Sequence, residues 1–223
     1  MVTYEMLKKD PQVNAYIEAG NNALKALGFT EHAMPHVCLT AETAGNILTQ
    51  LDYPAERVEL AKIAGLLHDI GNMMNRTYHA ASGAEIARNI LERCGMPFVD
   101  VGVVCAAIGN HDEGSGGKPI SDVSAALIIA DKVDVRRSRV QETCMENILT
   151  DIHDRVNYAV TRAELNIQKG GKNIIRLCLD IDTDFTPVMD YFEIFVKRMI
   201  MCRHAAVFLS AEFELMINGA KII

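Results

Sequence analysis

Apolar positions recur with a helical period through the first two thirds of the chain and with an alternating period after about residue 150. Val37, Ala41, Ala44, Leu48 and Leu51 form one stripe at three- and four-residue spacing, ended by Asp52-Tyr53-Pro54. Pro54 and Glu56 open a second helix, Leu60 through His68, which Ile70-Gly71-Asn72 breaks. A third helix is predicted from about His79 to Arg93, with Gly83, Ala87, Ile90 and Leu91 facing inward; Gly95 and Pro97 stop it. Val99 to Asn110 reads as a fourth, and the Gly-rich run His111 to Pro119 as a loop. Ser121 and Asp122 cap the last helix of this region, predicted to run through Asp131 toward Val140.

Beyond that point Val156, Tyr158 and Val160 alternate, as do Ile175, Leu177, Leu179 and Ile181, with Lys169-Gly170-Gly171-Lys172 between them. This predicts a β-hairpin. Val188, Phe192, Phe195, Met199, Cys202, Ala206 and Leu209 then mark a long helix. Met189, Val196 and Ile200 widen its apolar face so far that it must be covered on more than one side. The tail from Phe213 to Ile223 is strand material with a turn at Asn218-Gly219. The expected organisation is mostly α: a helical domain over 1–150 and a small α+β appendage over 151–223, made of a hairpin, the long helix and a terminal strand or hairpin.

With 223 residues, 49% of them hydrophobic and 23% charged, the chain can bury the core of an ordinary globular protein. Its net charge of −7 argues against a nucleic-acid groove or a polybasic membrane surface. No apolar run approaches the ~20 residues needed to span a bilayer, and the first ten residues lack the apolar core of a signal peptide. Cys38, Cys94, Cys105, Cys144, Cys178 and Cys202 are scattered singly and read as buried reduced thiols, so the expected location is cytoplasmic.

Polar groups interrupt the apolar helices at inward positions. His68 continues the register of Leu60 and Ala64, His111 that of Val103 and Ala107, and Asp131 that of Val123 and Leu127. Burying such groups unpaired costs ~2–7 kcal/mol each, a penalty that a shared metal removes for all of them. With His36, His79 and Asp69 they make four imidazoles and two carboxylates. That donor set suits Fe, Mn, Co, Ni or Zn, with Mg admitted, rather than Ca, and no thiolate cluster suggests structural zinc. Six ligands exceed the need of one catalytic ion. Two divalent ions sharing a carboxylate are therefore expected, about 3.5–4 Å apart, as in sites that displace at phosphorus.

Pro35-His36-Val37, Gly65-Leu66-Leu67-His68-Asp69-Ile70-Gly71, His79 through Glu85, Ile108-Gly109-Asn110-His111 and Ala130-Asp131-Lys132-Val133-Asp134 together resemble the HD superfamily of metal-dependent phosphohydrolases in order, spacing and helical context. The resemblance spans roughly residues 30–140 and implies the all-α HD fold for that region. It also implies that His36, His68, Asp69 and Asp131 hold one ion while Asp69 bridges to a second held by His79 and His111. A hydroxide shared by the ions would attack phosphorus. Many relatives that cleave cyclic dinucleotides have a Lys where this chain has Asn72, and two consecutive His where it has His111-Asp112; their Gly-Tyr-Pro is absent. Cyclic-dinucleotide cleavage is disfavoured, and the segment from Ile128 to Arg137 looks more like enzymes acting on nucleotides or dinucleoside polyphosphates.

Around the ligands, Lys132, Arg136 and Arg139 fall at i, i+4 and i+7 of the predicted helix, and Lys132, Arg136 and Arg76 are the candidates for substrate phosphate. Arg139 reads as a solvated helix position. Asp69 and Asp112 are the candidate catalytic residues, Asp112 as an extra ligand or a general acid. His32 reads as a surface residue one turn before His36, and His153 and His204 carry no assigned role. Asp180, Asp182 and Asp184 read as a strand end rather than a calcium loop. The expected partners are a small phosphorylated substrate and, through the C-terminal region, a second copy of the chain; neither a nucleic-acid polymer nor a membrane is expected. Two alternatives carry the same ligand series: a mixed-valent di-iron oxygenase and a non-catalytic regulatory module that binds metal.

Overall fold

The computed structural model describes residues 2–223. Helices α1 (Tyr4–Lys8) and α2 (Pro11–Ala26) precede four helices that carry the predicted stripes: α3 (Met34–Gln50), α4 (Ala55–Leu67), α5 (His79–Arg93) and α6 (Phe98–Gly109). Asp10 caps α2 by accepting from the Gln12 and Val13 amides at 2.9 and 3.2 Å, with Pro11 at the first helical position. Helix α7 (Asp122–Lys132) begins where Ser121 Oγ accepts from the Ser124 amide, and it is buried from Val123 through Ala130. It packs against α3, α4, α6 and the C-terminal helix. A helix covered on every side places its final-turn side chains in the interior, and Asp131 is one of them.

α3 and α4 cross at backbone contact. A Cβ on Gly65 would stand 2.5 Å from Ala41 Cα, closer than real atoms approach, so glycine is required there. That crossing brings His36 at the start of α3 against His68 at the end of α4, their ring centroids 5.1 Å apart.

Helix α7 ends at Lys132, short of the predicted Val140. A single 3-10 turn follows at Arg137–Arg139, so Lys132, Arg136 and Arg139 do not share one helix face. After α8 (Met145–Thr150), the alternation of Val156 and Tyr158 lies on a helix, α9 (Ile152–Ala159), rather than on a strand. Asp151 nucleates it by accepting from the His153 and Asp154 amides, and the inward pair becomes Val156 and Ala159. The hairpin starts one element later, β1 (Val160–Gln168) with β2 (Asn173–Ile181), antiparallel.

Helix α10 (Val188–Phe208) then crosses to β3 (Ala211–Ile217), which runs parallel to β2, and Asn218-Gly219 turns the chain into the short β4 (Ala220–Lys221). The sheet order is β1-β2-β3-β4. Ile175, Leu177 and Leu179 sit beside Phe213, Leu215 and Ile217 on one buried face, and α10 packs between β3 and α7. One side of α10 buries Tyr191, Phe195, Met199, Cys202 and Ala206, whereas Met189, Val196 and Ile200, expected to be covered, are exposed. The buried apolar residues form one cluster running from the helices into the sheet. All six cysteines are unpaired; only Cys202 is buried, and Cys144 is exposed. Among the described residues no helix is long and apolar enough to cross a membrane.

Candidate metal centre

Five helix ends deliver the six predicted ligands to a single point. His36 comes from the first turn of α3, His68 and Asp69 from the end of α4, and His79 from the first residue of α5. His111 lies just past α6, and Asp131 in the last turn of α7. Tyr78, whose φ is +62°, holds the left-handed turn that aims α5 and so fixes where His79 begins. His36, His68, Asp69, His79 and His111 are buried.

The donors fall into overlapping groups: two face opposite oxygens of Asp69, and His68, His111 and Asp131 also lie close enough to share an ion. His36 Nε2 and His68 Nε2 lie 3.3 Å apart, each 3.5 Å from Asp131 Oδ1, and they lie 3.5 and 3.3 Å from Asp69 Oδ2. On the other side, Asp69 Oδ1 lies 3.4 Å from His79 Nε2 and 3.9 Å from His111 Nε2, and those two nitrogens are 3.2 Å apart. A first-row ion bonded at about 2.0–2.2 Å spaces neighbouring donors by roughly 3.0–3.5 Å, which is the spacing of the first set and, apart from the 3.9 Å between Asp69 Oδ1 and His111 Nε2, of the second.

The imidazole tautomers follow from the other ring nitrogen. His36 Nδ1 faces Asp134 Oδ2 at 2.7 Å, His68 Nδ1 faces the Gly65 carbonyl at 2.8 Å, His79 Nδ1 the Arg76 carbonyl at 3.0 Å and His111 Nδ1 the Ile108 carbonyl at 2.6 Å. An oxygen acceptor at each Nδ1 requires the proton there, so every Nε2 turns a lone pair toward the centre. Lone pairs this close repel unless a cation or a proton separates them, and that requirement is why these residues fit metal ions. Burial alone opposes charge on His68, but Asp69 and Asp131 outweigh it and push the group up to about 10. His111, desolvated and beside His68 and Lys132, falls instead to about 3. Asp69 and Asp131 stay ionised despite burial: His68 and His36 act on Asp69, and Lys132 and His36 on Asp131.

A pH dependence follows. The His68 value is raised above the ordinary 6.5, so its contribution to metal-free stability is complete below about 6.5 and is lost as pH rises through about 10. A bound metal would take the place of that proton. The difference in melting temperature between metal-loaded and metal-stripped protein is expected to widen steadily across this range, as read by calorimetry; a constant difference would contradict a proton-for-metal exchange.

Several residues hold the clustered side chains in place. Asp134, not singled out from the sequence beyond its place in a matching stretch, completes a carboxylate–imidazole pair behind His36 and accepts from Arg136 Nε at 2.7 Å. Asn72 Nδ2 donates to Asp69 Oδ1 at 2.9 Å. Lys132, expected to bind phosphate, is buried with Nζ 2.8 Å from Asp131 Oδ2 and 2.6 Å from Glu113 Oε2, so its charge is spent on protein carboxylates. Arg136, also expected at the phosphate, is turned onto Asp134, Ser138 and Glu31 and lines a separate cavity against β1. Asp112 accepts from the Ser115 amide at 2.8 Å; His79 and Lys132 outweigh its burial and keep it ionised, which does not suit a general acid.

Arg76 is at the centre, its Nη1 3.8 Å from Asp69 Oδ1 and 3.3 Å from Asn72 Oδ1. His32, read as a surface residue, is there too, with Nε2 4.0 Å from Asp69 Oδ2. Both line a cavity of about 200 Å³ that is also lined by Arg139, His153 and Arg198. The only sign of His32 in the sequence is its four-residue spacing from His36; His153 and Arg198 leave none, because distant elements bring them in. Arg76 also borders a more open cavity of about 350 Å³ with His79 and Asp112.

Residues 34–136 match the model of the HD domain. Over 196 residues the chain is 24% identical to an uncharacterized protein of Methanocaldococcus jannaschii, covering 78% of this chain and 74% of that protein. It is 25% identical to ribonuclease Y of Mycoplasma mycoides over 66% of this chain and 28% identical to ribonuclease Y of Enterococcus faecalis over 58%. The matches span 38% and 23% of those two relatives. Among solved structures, a predicted HD superfamily hydrolase from an uncultured Thermotogales bacterium shares 27% identity with a TM-score of 0.44, covering 59% of this chain and 73% of that one.

Proposed function

The chain carries an HD domain, and from that premise we propose that it is a metal-dependent phosphohydrolase with two ions, acting on a phosphate ester or anhydride of a small metabolite such as a nucleotide or dinucleoside polyphosphate. The observation that carries this reading is the division of Asp69: one oxygen belongs to the His36–His68–Asp131 set and the other to the His79–His111 set. When bound, the ions supply Lewis acidity and an activated water. The protein's own residues do the rest. His36, His68 and Asp131 fix one half of the centre, while His79 and His111 fix the other. Asn72 and Arg76 hold the shared carboxylate in register. Asp69 and Asp131 stay ionised, so they serve as ligands and leave proton transfer to other groups.

A net charge of −7 and a cavity of about 200 Å³ favour a small anion over a polynucleotide, which needs an extended basic track. Phosphate release is expected from a panel of nucleotides and phosphomonoesters with Mn²⁺ under strictly anaerobic conditions. No release from any member, together with substrate-dependent oxygen uptake by the iron form, would replace this reading with oxygenase chemistry.

A further inference from the structure

Near the metal centre, the chain concentrates positive charge in one place. A cavity of about 200 Å³, two of whose lining residues, His32 and Arg76, lie within 4.0 Å of Asp69, is also lined by Arg139 and Arg198, with Asp151 as its one lining carboxylate among the described residues. Asp151 is already committed to capping α9. Arg139 is committed as well, since its guanidinium donates to the Glu31 and Asp134 carbonyls. Arg76 and Arg198 are different. Arg76 uses Nη1 on Asn72, and Arg198 uses only Nε, which donates to Glu113 Oε1 at 2.8 Å. Their side chains are 27% and 25% exposed, so each keeps donors for a ligand. Arg76 stands on the loop between Asp69 and His79. Arg198 stands on α10 with its guanidinium 4.9 Å from the centre of the Phe195 ring, which stiffens it.

We infer that Arg76 and Arg198 form an anion subsite beside the metal centre for the terminal phosphate of a small phosphomonoester, so that the C-terminal αβ unit completes the substrate site. The inference rests on the phosphohydrolase reading for its chemistry, though not for the binding event itself. Two guanidinium groups match the near −2 charge of a terminal phosphate better than the single charge of a diester.

The test uses the full chain loaded with Mn²⁺ and inorganic phosphate as the probe, with binding read by calorimetry and metal by elemental analysis. Arg198→Met keeps the stem over Phe195 and removes the donors. It is expected to weaken phosphate by about tenfold or more with metal content unchanged. With p-nitrophenyl phosphate the loss should appear in KM more than in kcat, and the wild type should prefer this monoester to bis(p-nitrophenyl) phosphate. If Arg198→Met does not fold, Arg198→Lys, which leaves Glu113 a partner but lacks the planar fork, should still weaken phosphate several-fold. Unchanged phosphate binding in the variant that folds, loss of metal along with it, or a wild type that prefers the diester would overturn the inference. Phosphate binding that depends on Arg198 in a protein that cleaves no phosphate ester would instead uphold the subsite and remove the hydrolase reading.

Discussion

Asp69→Ala is expected to strip both ions and abolish phosphate release. No other residue of the cluster gives one oxygen to each donor set, with Oδ2 3.3 Å from His68 Nε2 and Oδ1 3.4 Å from His79 Nε2. Removing it leaves His36, His68 and Asp131 on one side and only His79 and His111 on the other. Two imidazoles make a poor site, and the fuller set loses the carboxylate that offsets the charge on its ion. Elemental analysis after gel filtration should therefore fall from about two ions per chain to well under one. His79→Ala should fall only to about one ion, since the first set is intact. Asp134→Ala, which leaves every ligand but frees His36 Nδ1, should weaken metal binding by about 10–100-fold without abolishing it. Full metal retention in Asp69→Ala would mean that the two sets are not bridged.

The cluster of six was legible in the sequence because His68, His111 and Asp131 break a local rule, each a polar residue continuing the inward face of an apolar helix, in a set with His36, Asp69 and His79 too large to be satisfied pairwise. Residues that support them break no local rule. Asp134 meets His36 across 98 positions, and Arg198 meets Glu113 across 85, so spacing and periodicity carry no trace of either contact. The shared register read for Lys132, Arg136 and Arg139 failed for one reason. Extending α7 past Lys132 put Arg136 and Arg139 in register with Lys132, but the helix stops there and the following turn sends Arg136 to Asp134 and Arg139 inward. In the C-terminal unit the long helix and the Asn218-Gly219 turn were readable. Val156 and Tyr158 were not, because a helix as short as α9 shows too few turns for its period to be told from alternation.

Gly71→Ala is expected to be among the most damaging substitutions outside the ligands, through backbone rather than chemistry. A Cβ at Gly71 would lie 2.1 Å from the His79 carbonyl oxygen and 2.6 Å from the Gly83 amide nitrogen. Neither is the end of a flexible side chain; both belong to α5, so the 3-10 turn at Ile70–Met73 that holds Gly71 and that helix would have to separate. Such a separation costs about 3 kcal/mol, the upper end for overpacking, and should be visible in urea unfolding of the metal-free protein. It also has a direction. The 3-10 turn follows Asp69 directly and α5 begins with His79, so pushing the two apart widens the gap from Asp69 Oδ1 to His79 Nε2. Gly71→Ala should therefore lose the ion of the His79–His111 set before the other. Gly65→Ala, which drives α4 from α3 at Ala41, should instead loosen the His36–His68 set first. Loss of metal from the same set in both variants would show that the centre responds to helix packing as one unit; wild-type stability in Gly71→Ala would mean that the turn and α5 do not touch as closely as described.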